Sequence, residues 1–394
     1  MDALTTPLPK DWEAVKVEDI FEIITDFSAA GSFAQQSQMV QYTNDRTNYA
    51  QLIRTTELKN GFNNTNAIYI NKEAFEFLWR VNLNSDAIIL PNIGINCGEI
   101  YYVDIKKLIH KHNALVPNAI LLRTKKANLK FLFYAFLDTW FQKQLINIIT
   151  SSAQPKFTKT DLRDLLIPLP PLNEQTAIAN ILSDLDRYLY SLDALILKKE
   201  SVKKALSFEL LSQRKRLKGF NQAWQRVRLG DICEIVKGQQ INKISLNNTD
   251  KYPVINGGID FLGYTNKFNV SKNTIAISEG GTCGYVRFMK SDFWSGGHNY
   301  SLQKISNKVN NLCLYHILKS YEKDIMKLGV GSGLKNIQLK ALKDFEIFLP
   351  SLDEQAAIAN ILSALDSEIT SLKNKKRQFE NIKKALNHDL MSAK

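Results

Sequence analysis

The chain has 394 residues, enough for two or three domains, and its 44% hydrophobic and 23% charged residues are typical of a soluble globular protein. Its 51 Lys and Arg against 39 Asp and Glu give a formal net charge of +12, which indicates a polyanionic partner, most often a nucleic acid. Four cysteines lie far apart without a C-x-x-C pair, so they argue against a zinc module or a secreted disulfide framework and fit the reducing cytoplasm.

The first predicted domain, residues 1–171, shows no basic stretch followed by an apolar one at its start, so we expect no signal peptide. Its most apolar segment, "FLFYAFLDTWF" from Phe131, is interrupted by an aspartate and is too short to cross a bilayer, so we expect a cytoplasmic protein without a membrane partner. The stretch "DAIILPNIGINCG" from Asp86 predicts a short apolar strand followed by a glycine-containing loop. A polar loop from Thr150 and a proline-marked strand, "LLIPLPPL", lead out of the domain.

The next segment, residues 172–218, is predicted to be one long helix that begins with "LNEQTAIANILS", and "QRKRLKGF" from Gln213 is interpreted as the linker that leaves it. Apolar residues recur in it every seven positions, which is the pattern of a coiled-coil seam, and Lys199 interrupts the seam once. The predicted seam residues of this helix are Ile178, Leu185, Leu192 and Leu206.

The chain then repeats this organisation. A second domain, residues 219–350, opens with "WQRVRLGDICEI", which resembles "WEAVKVEDIFEI" near the start of the first domain. Its "NTIAISEGGTCG" from Asn273 matches the strand and loop at Asp86, and we interpret the glycines as a tight turn rather than a phosphate-binding loop. The first domain has 32 more residues before its helix than the second.

The second long helix, residues 351–394, begins with "LDEQAAIANILS" after Ser351, which is identical to the first copy at ten of twelve positions. The four residues "KKAL" also recur at the same offset of 180 positions, so the chain contains an internal repeat. The predicted seam residues of this helix are Ile358, Leu365, Leu372, Phe379 and Leu386.

A helix of this length is about 60 Å long and cannot bury its apolar stripe on its own small domain. Connectivity favours pairing between the two helices, with the second returning alongside the first. The predicted fold class is therefore α+β: two α/β domains joined by two long helices in an antiparallel coiled coil, with a pseudo-two-fold internal repeat. The alternatives are that each helix packs on its own domain, or that the seams bind another protein.

The sequence contains none of the common catalytic motifs. It has no G-x-x-x-x-G-K-[ST] loop, no H-E-x-x-H and no G-x-S-x-G, and its histidines form a single H-x-H pair without a carboxylate spacing that would complete a metal site. We therefore expect a chain with no catalytic activity, metal or cofactor of its own.

The order of domain, "PLPPLNEQTAIANIL" helix, domain and "FLPSLDEQAAIANIL" helix resembles the specificity subunit of type I restriction–modification systems over essentially the whole chain. The resemblance implies that each domain is a target recognition domain for one half of a bipartite site in double-stranded DNA. It implies that the helices form a spacer that fixes the unread gap and docks two methyltransferase subunits. It further implies that S-adenosylmethionine is bound by the methyltransferase, and that a restriction and translocase subunit joins to cut unmethylated DNA.

Candidate DNA contacts follow from chemistry, because base edges require paired donors and acceptors and phosphates require cations or N–H groups. In the predicted polar loops of the first domain the candidates are Arg54, Asn92, Asn96, Ser152, Gln154 and Lys156. In those of the second domain they are Gln239, Gln240, Asn242, Lys243, Thr282, His298, Ser332, Lys335 and Asn336. Two other classes of function stay open at this point: the recognition subunit of another type of restriction–modification system, and a scaffold whose basic charge is incidental.

Overall fold

The computed structural model describes residues 8–62 and 66–392. They form two compact units: one contains the described residues up to Ser191 together with those from Lys376 onward, and the other is Leu192–Lys375. Each unit combines one globule with a stretch of each long helix. The units therefore cut across the four segments predicted from the sequence.

The globule of the first unit is built from short strands and helices. Its strands are β1 (Glu13–Lys16), β2 (Ile23–Asp26), β3 (Ala50–Ile53), β4 (Ile68–Ile70), β5 (Ala87–Pro91), β6 (Tyr101–Val103), β7 (Asn113–Leu115), β8 (Ala119–Arg123) and β9 (Leu166–Leu169). Its helices are α1 (Val17–Ile20), α2 (Phe33–Met39), α3 (Thr55–Asn60), α4 (Lys72–Phe77), α5 (Leu129–Leu137), α6 (Thr139–Ile148) and α7 (Lys159–Arg163). The strands pair as an antiparallel sheet β2-β8-β5-β6, a sheet β4-β3-β7 in which β3 and β7 are parallel, and the antiparallel pair β1-β9.

The globule of the second unit has a closely similar set of elements. Its strands are β10 (Gln225–Arg228), β11 (Glu234–Lys237), β12 (Tyr252–Ile255), β13 (Gly263–Thr265), β14 (Thr274–Ser278), β15 (Val286–Met289), β16 (Trp294–Ser295), β17 (Asn299–Gln303), β18 (Gly329–Val330), β19 (Asn336–Ile337) and β20 (Glu346–Leu349). Its helices are α9 (Leu229–Ile232), α10 (Asn311–Ser320), α11 (Glu322–Lys327) and α12 (Leu339–Lys343). Here the sheets are β11-β17-β14-β15, β13-β12-β16 with β12 and β16 parallel, β10-β20 and the hairpin β18-β19.

The two globules thus pair their strands in the same order, which confirms the internal repeat. The extra residues of the first globule lie mainly between β2 and β5, where α2, α3 and α4 occupy a segment that carries no α-helix in the second globule. The two globules therefore share the order of strands in their sheets and differ in the segments that connect those strands.

Strand β5 shows why the apolar run at residue 87 was recognisable from the sequence. Successive side chains of a strand point to opposite faces of the sheet. Ile88 and Leu90 pack in a core with Phe131 of α5, whereas Ile89 faces a second core with Leu52 of β3. Because both faces of the sheet are covered, every residue of β5 is buried and the strand is apolar throughout.

The long helices are α8 (Leu172–Leu211) and α13 (Leu352–Ser392). The first ends inside the predicted segment 172–218, two residues before the linker predicted from Gln213. Gln213 has a φ of 59°, the left-handed conformation that commonly ends a helix, and the amide of Lys215 donates to the carbonyl of Glu209. The basic segment after Leu211 is therefore a connection to the second globule.

Contacts inside each unit show that the two helices run antiparallel. In the second unit, Lys199 of α8 pairs with Glu368 of α13, and further along α8 Lys203 pairs with Asp366, so rising numbers in one helix meet falling numbers in the other. The first unit has the same sense: the ring of Tyr188 lies 4.7 Å from that of Phe379, and Asp186 pairs with Lys383. The predicted antiparallel pairing is confirmed.

The predicted seam positions all lie away from solvent to some degree. Ile178, Leu192 and Ile358 are buried, and the other six are half-buried. The predicted interruption of the seam at Lys199 is occupied by an ion pair with Glu368, with nitrogen and oxygen 2.8 Å apart. The helix starts are buried more deeply, because Leu182 and Leu362 also pack into the cores of their own globules.

Two repeated sequence features have the same structural role in both copies. The buried side chain of Gln175 donates to the carbonyl of the proline five residues before it and accepts the amide N–H of Asn128, the residue that caps α5. Gln355 does the same for Asn310, which caps α10. In the repeated "KKAL", the first lysine of each copy pairs with an aspartate of the opposite helix. The repeat therefore preserves helix starts and helix pairing.

Among the helices of residues 8–62 and 66–392, none combines the length and the apolar composition that a membrane span requires.

Candidate nucleic-acid interface

Glycine-rich loops of the second unit meet where β12, β14 and β16 end. A Cβ atom at Gly238 would collide with the carbonyl oxygen of Gly296, and one at Gly257 would lie 2.6 Å from the carbonyl oxygen of Gly280. Backbone segments this close leave no room for a side chain, which is why these positions are glycine. We call residues 256–258, 279–284 and 296–298 the glycine cradle.

Glu279 ties the glycine cradle together. Its carboxylate accepts from Lys237 Nζ at 2.7 Å and from the Tyr300 hydroxyl at 3.3 Å, and lies 3.9 Å from the His298 ring. Burial, with the adjacent carboxylate, raises the pKa of Tyr300 to about 12, so this hydroxyl stays protonated and donates. The side chain of Glu279 is only 11% exposed, whereas those of Lys237 and His298 are more than half exposed. The carboxylate is therefore an internal anchor beneath two side chains that face solvent.

The residues predicted from the second domain lie around this cradle and on its neighbouring loops. Eight are exposed, namely Gln239, Gln240, Asn242, Lys243, His298, Ser332, Lys335 and Asn336, and Thr282 is half-buried. The side-chain amide of Gln240 lies next to Gly297, and that of Asn336 lies next to Gly280. Two further loops therefore contact the glycine cradle through their side-chain amides. The amide N–H of Thr282 donates to the carbonyl of Gly257 at 2.8 Å. The structure thus brings together His298, Thr282, Gln240, Lys335 and Asn336 from four separate segments.

In the first unit, two loops form the corresponding surface, residues 92–98 and 150–157, which we call the first-unit loop pair. The N–H of Gly94 donates to the carbonyl of Pro155 at 2.9 Å, and Ile93 forms a bridge with Lys156. The predicted residues Ser152, Gln154 and Lys156 are exposed there. Asn96, on the facing loop, is half-buried and accepts from Lys59 Nζ at 2.7 Å.

The prediction of Asn92 as a base-contacting side chain is wrong. Asn92 is buried, and its amide group donates to the carbonyl of Phe157 at 3.0 Å, so it holds the first-unit loop pair together from inside. The side-chain oxygen of Asn92 is buried as well, so neither atom of the amide is accessible to a base.

Arg54 is also engaged within the protein. Its guanidinium donates to both carboxylate oxygens of Glu57, at 3.0 and 2.6 Å, and to the carbonyl of Asn66 at 2.8 Å. Burial alone raises the pKa of Glu57, but the hydrogen bonds and charge of Arg54 outweigh it, so that pKa lies below its ordinary value. Because the side chain of Glu57 is fully buried, the structural role of Arg54 is to neutralise that charge.

The two surfaces share a main-chain framework. The amide of Asn92 donates to the carbonyl of Asn118 at 3.0 Å, and the amide of Glu279, at the matching place after β14, donates to that of His298 at 2.8 Å. The carbonyl oxygen of each residue also accepts an N–H, at 3.1 and 2.9 Å, from the segment just before the last short helix of its globule. The same pair of main-chain hydrogen bonds therefore holds the residue after β5 in the first unit and the residue after β14 in the second. The side chains at these two positions differ.

Sequence reasoning missed Glu279 and Lys237. The available signal was the position of Glu279 directly between an apolar strand and a Gly-Gly pair, where a charged residue is unusual. Within the described residues, no group of three or more His, Cys, Asp or Glu side chains is arranged to hold a metal ion.

Comparison with known proteins identifies the family to which the chain is similar. The family described as the type I restriction modification DNA specificity domain matches residues 9–199 and again residues 221–381. The specificity subunit of type I restriction enzyme MjaVIII from Methanocaldococcus jannaschii is 25% identical over 423 residues, which cover 98% of this chain and 93% of that one. A candidate type I specificity subunit of Mycoplasma pneumoniae is 39% identical over 154 residues, which are 39% of this chain and 41% of that protein.

The fold has relatives among solved structures. The crystal structure of the S subunit of a type I restriction–modification system from M. genitalium matches with a TM-score of 0.70 at 20% identity, covering 98% of this chain and 97% of that one. A structure from a study of the assembly and conformational transition of a type I system matches with a TM-score of 0.55 at 15% identity.

The two matched segments and the duplicated globules define a DNA-recognition protein rather than an enzyme. The chain belongs to the family of type I restriction–modification specificity subunits. This confirms both the resemblance drawn from the repeated helix sequences and the expectation that the chain is not the catalytic component.

Proposed function

We propose that each globule reads one half of a bipartite, asymmetric site in double-stranded DNA, and that the long helices dock two methyltransferase subunits. The observation that supports this most directly is the shared backbone framework with different side chains on it. A framework used twice suits two tasks of the same kind, and unlike side chains suit two unlike half-sites.

The chemistry of the two surfaces supports contact with DNA. The first-unit loop pair exposes a lysine, a serine and a glutamine. The glycine cradle exposes His298, and the segments that border it expose Lys237, Lys335 and the amide groups of Gln240 and Asn336. Amides can bind base edges in a bidentate manner, and cations bind phosphates. The net charge of +12 favours association with a polyanion.

The length of the unread gap is proposed to depend on the long helices, because α8 connects the two globules along the chain and α13 pairs with it. In this proposal the methyltransferase supplies S-adenosylmethionine and a restriction and translocase subunit completes a cytoplasmic complex. This chain contributes the recognition surfaces and the helix pair.

The test is to map methylated bases in the DNA of cells that carry this chain with its methyltransferase. We expect a two-part motif with a constant gap. Exchanging the first globule for that of a relative should change one half of the motif and leave the other half unchanged. A continuous motif, or a change in both halves, would contradict the proposal.

The role of the helices is tested by inserting seven residues into both α8 and α13 at paired positions, which adds about 10 Å to each helix. Since base pairs are spaced by about 3.4 Å, the gap should lengthen by about 3 base pairs while both half-sites stay the same. The matched control is a seven-residue insertion between residues 212 and 223, outside the helices, which should leave the gap unchanged.

A further inference from the structure

Three of the four most exposed large apolar side chains among the described residues lie in loops that carry predicted DNA contacts. Four such side chains are more than four-fifths exposed: Ile95 (97%), Ile244 (92%), Phe33 (85%) and Leu334 (81%). Three of the four directly adjoin a residue that was selected independently as a DNA contact, because Ile95 precedes Asn96, Ile244 follows Lys243 and Leu334 precedes Lys335. The fourth, Phe33, is in α2, between β2 and β3, and adjoins no predicted DNA contact.

Ile95 is held in place by hydrogen bonds of the backbone around it. It occupies a corner of the turn closed by the amide of Cys97 and the carbonyl of Gly94, at 2.9 Å. The same glycine is anchored to Pro155 of the facing loop, and the next turn is closed from Glu99 to Asn96 at 3.1 Å. A β-branched residue has no preference for a turn corner, where Pro, Asp, Asn and Ser predominate. Neither turn chemistry nor packing accounts for an isoleucine there.

Ile244 and Leu334 have similar settings in the second unit. Ile244 is in the middle of a short 3₁₀ turn, Lys243–Ser245, and its amide donates to the capping side chain of Asn242 at 3.1 Å. Leu334 lies in the loop of the β18-β19 hairpin, where a Cβ atom at Gly331 would collide with the carbonyl oxygen of Leu334. Each is an apolar side chain on a loop whose neighbours are polar or cationic.

We propose that Ile95, Ile244 and Leu334 are apolar base contacts, which pack in a groove of the DNA against the hydrophobic surface of bases. This rests on the proposed function. The hydrophobic surfaces available there are the thymine methyl group in the major groove and the face of a partly unstacked base step in the minor groove, and isoleucine and leucine suit both.

The setting of the three side chains favours DNA over a protein partner. Protein-binding surfaces present contiguous apolar patches, whereas the immediate sequence neighbours of these side chains are Gly, Asn, Lys and Ser residues. A cation beside a protruding aliphatic group is the pairing that a phosphate backbone next to an exposed base would require.

The test uses the full chain assembled with its methyltransferase, and measures binding to target and non-target DNA across a range of salt concentrations. Ile95→Ser, Ile244→Ser and Leu334→Ser should each weaken target binding by about tenfold, since an aliphatic side chain of this size contributes about 1.5 kcal/mol or more when buried. They should leave the slope of log affinity against log salt unchanged, because no phosphate contact is removed. Lys156→Ala, by contrast, should reduce that slope by about 0.9.

Phe33→Ser is the matched control, since it removes a similarly exposed apolar side chain that adjoins no predicted DNA contact and should leave target binding unchanged. The source of the apolar surface is separated by DNA chemistry. Loss of affinity on replacing thymine by uracil in one half-site, with no further loss in the serine variant, assigns the contact to a thymine methyl group. A rise in 2-aminopurine fluorescence that the serine variant abolishes assigns it to an unstacked base step.

The inference is overturned if the three serine variants bind the target like the wild type, or if Phe33→Ser weakens binding as much as they do. Failure of the proposed function has a different signature: the wild-type assembly would then show no preference for any target over non-target DNA, and both proposals would fall together.

Discussion

Arg54→Ala should destabilise the first unit and not act directly on DNA binding. The side chain of Glu57 is fully buried and that of Arg54 is 29% exposed. Removing the arginine leaves a buried carboxylate without its cation. Breaking a buried ion pair in this way costs about 3 to 5 kcal/mol, and we expect about 3, because the carboxylate keeps the backbone N–H of residue 54 at 2.8 Å.

The pKa of Glu57 determines how the destabilisation by Arg54→Ala should change with pH. In the wild type the pKa of Glu57 is below its ordinary value, so the stability contributed by the charged pair is present above about pH 4.5 and is lost as the pH falls through the folded-state pKa. Without Arg54, burial dominates and the pKa of Glu57 should rise above its ordinary value. The destabilisation should therefore be largest near pH 7 and shrink as the pH falls, until below the lowered folded-state pKa of Glu57 the carboxyl is neutral in both proteins.

Urea denaturation of both proteins at pH 7 and pH 4, followed by circular dichroism, measures the difference. Arg54→Ala combined with Glu57→Gln should recover most of the lost stability, since no buried charge then remains. A loss below about 1 kcal/mol, or one that does not change with pH, would refute the reasoning. If the variant had unchanged stability but bound DNA more weakly, Arg54 would be a DNA contact, as the sequence predicted.

Three further outcomes are expected. Lys203→Asp should lower stability by about 1 kcal/mol in urea denaturation because both members of its pair are about one-third exposed, and adding Asp366→Lys should restore it; failure of the double variant to recover would exclude this pair as a helix contact. Gln355→Ala should cost about 2 kcal/mol by calorimetry, since it removes both the acceptor of the Asn310 N–H and the donor to the buried carbonyl of Pro350, and Gln355→Glu should restore only the acceptor; a loss near zero would contradict the role of Gln355 in holding Asn310. In native protein at pH 8, maleimide should label Cys97 before Cys313, because burial raises the pKa of the Cys313 thiol to about 12; equal rates, read by mass spectrometry, would refute this.

The elements that the sequence predicted well are those in which one local pattern decides the structure. The apolar run of β5 and the seven-residue repeat of α8 and α13 both follow from burial along a regular backbone, and both were recognisable. The end of α8 lies close to the linker that the basic run from Gln213 predicted, whereas the left-handed conformation of Gln213 could not be predicted from that run.

The candidate interface was harder to predict because a polar side chain can serve either the protein or a ligand. Asn92 and Asn96 lie in one loop and have the same chemistry, yet the first is buried against a carbonyl and the second is at the surface. Glu279 escaped notice because its role depends on Lys237, Tyr300 and His298, which come from other segments. Such contacts depend on tertiary structure that no local pattern encodes.

The matching main-chain crossings at Asn92 and Glu279 bear on how such a protein can change over time. The hydrogen bonds that hold these loops come from amide and carbonyl groups, which every residue except proline supplies. Side chains on that scaffold can therefore be exchanged without removing the bonds beneath them. New binding preferences could accumulate at little cost to folding, and the divergence of the two halves within this one chain is what such freedom would leave behind.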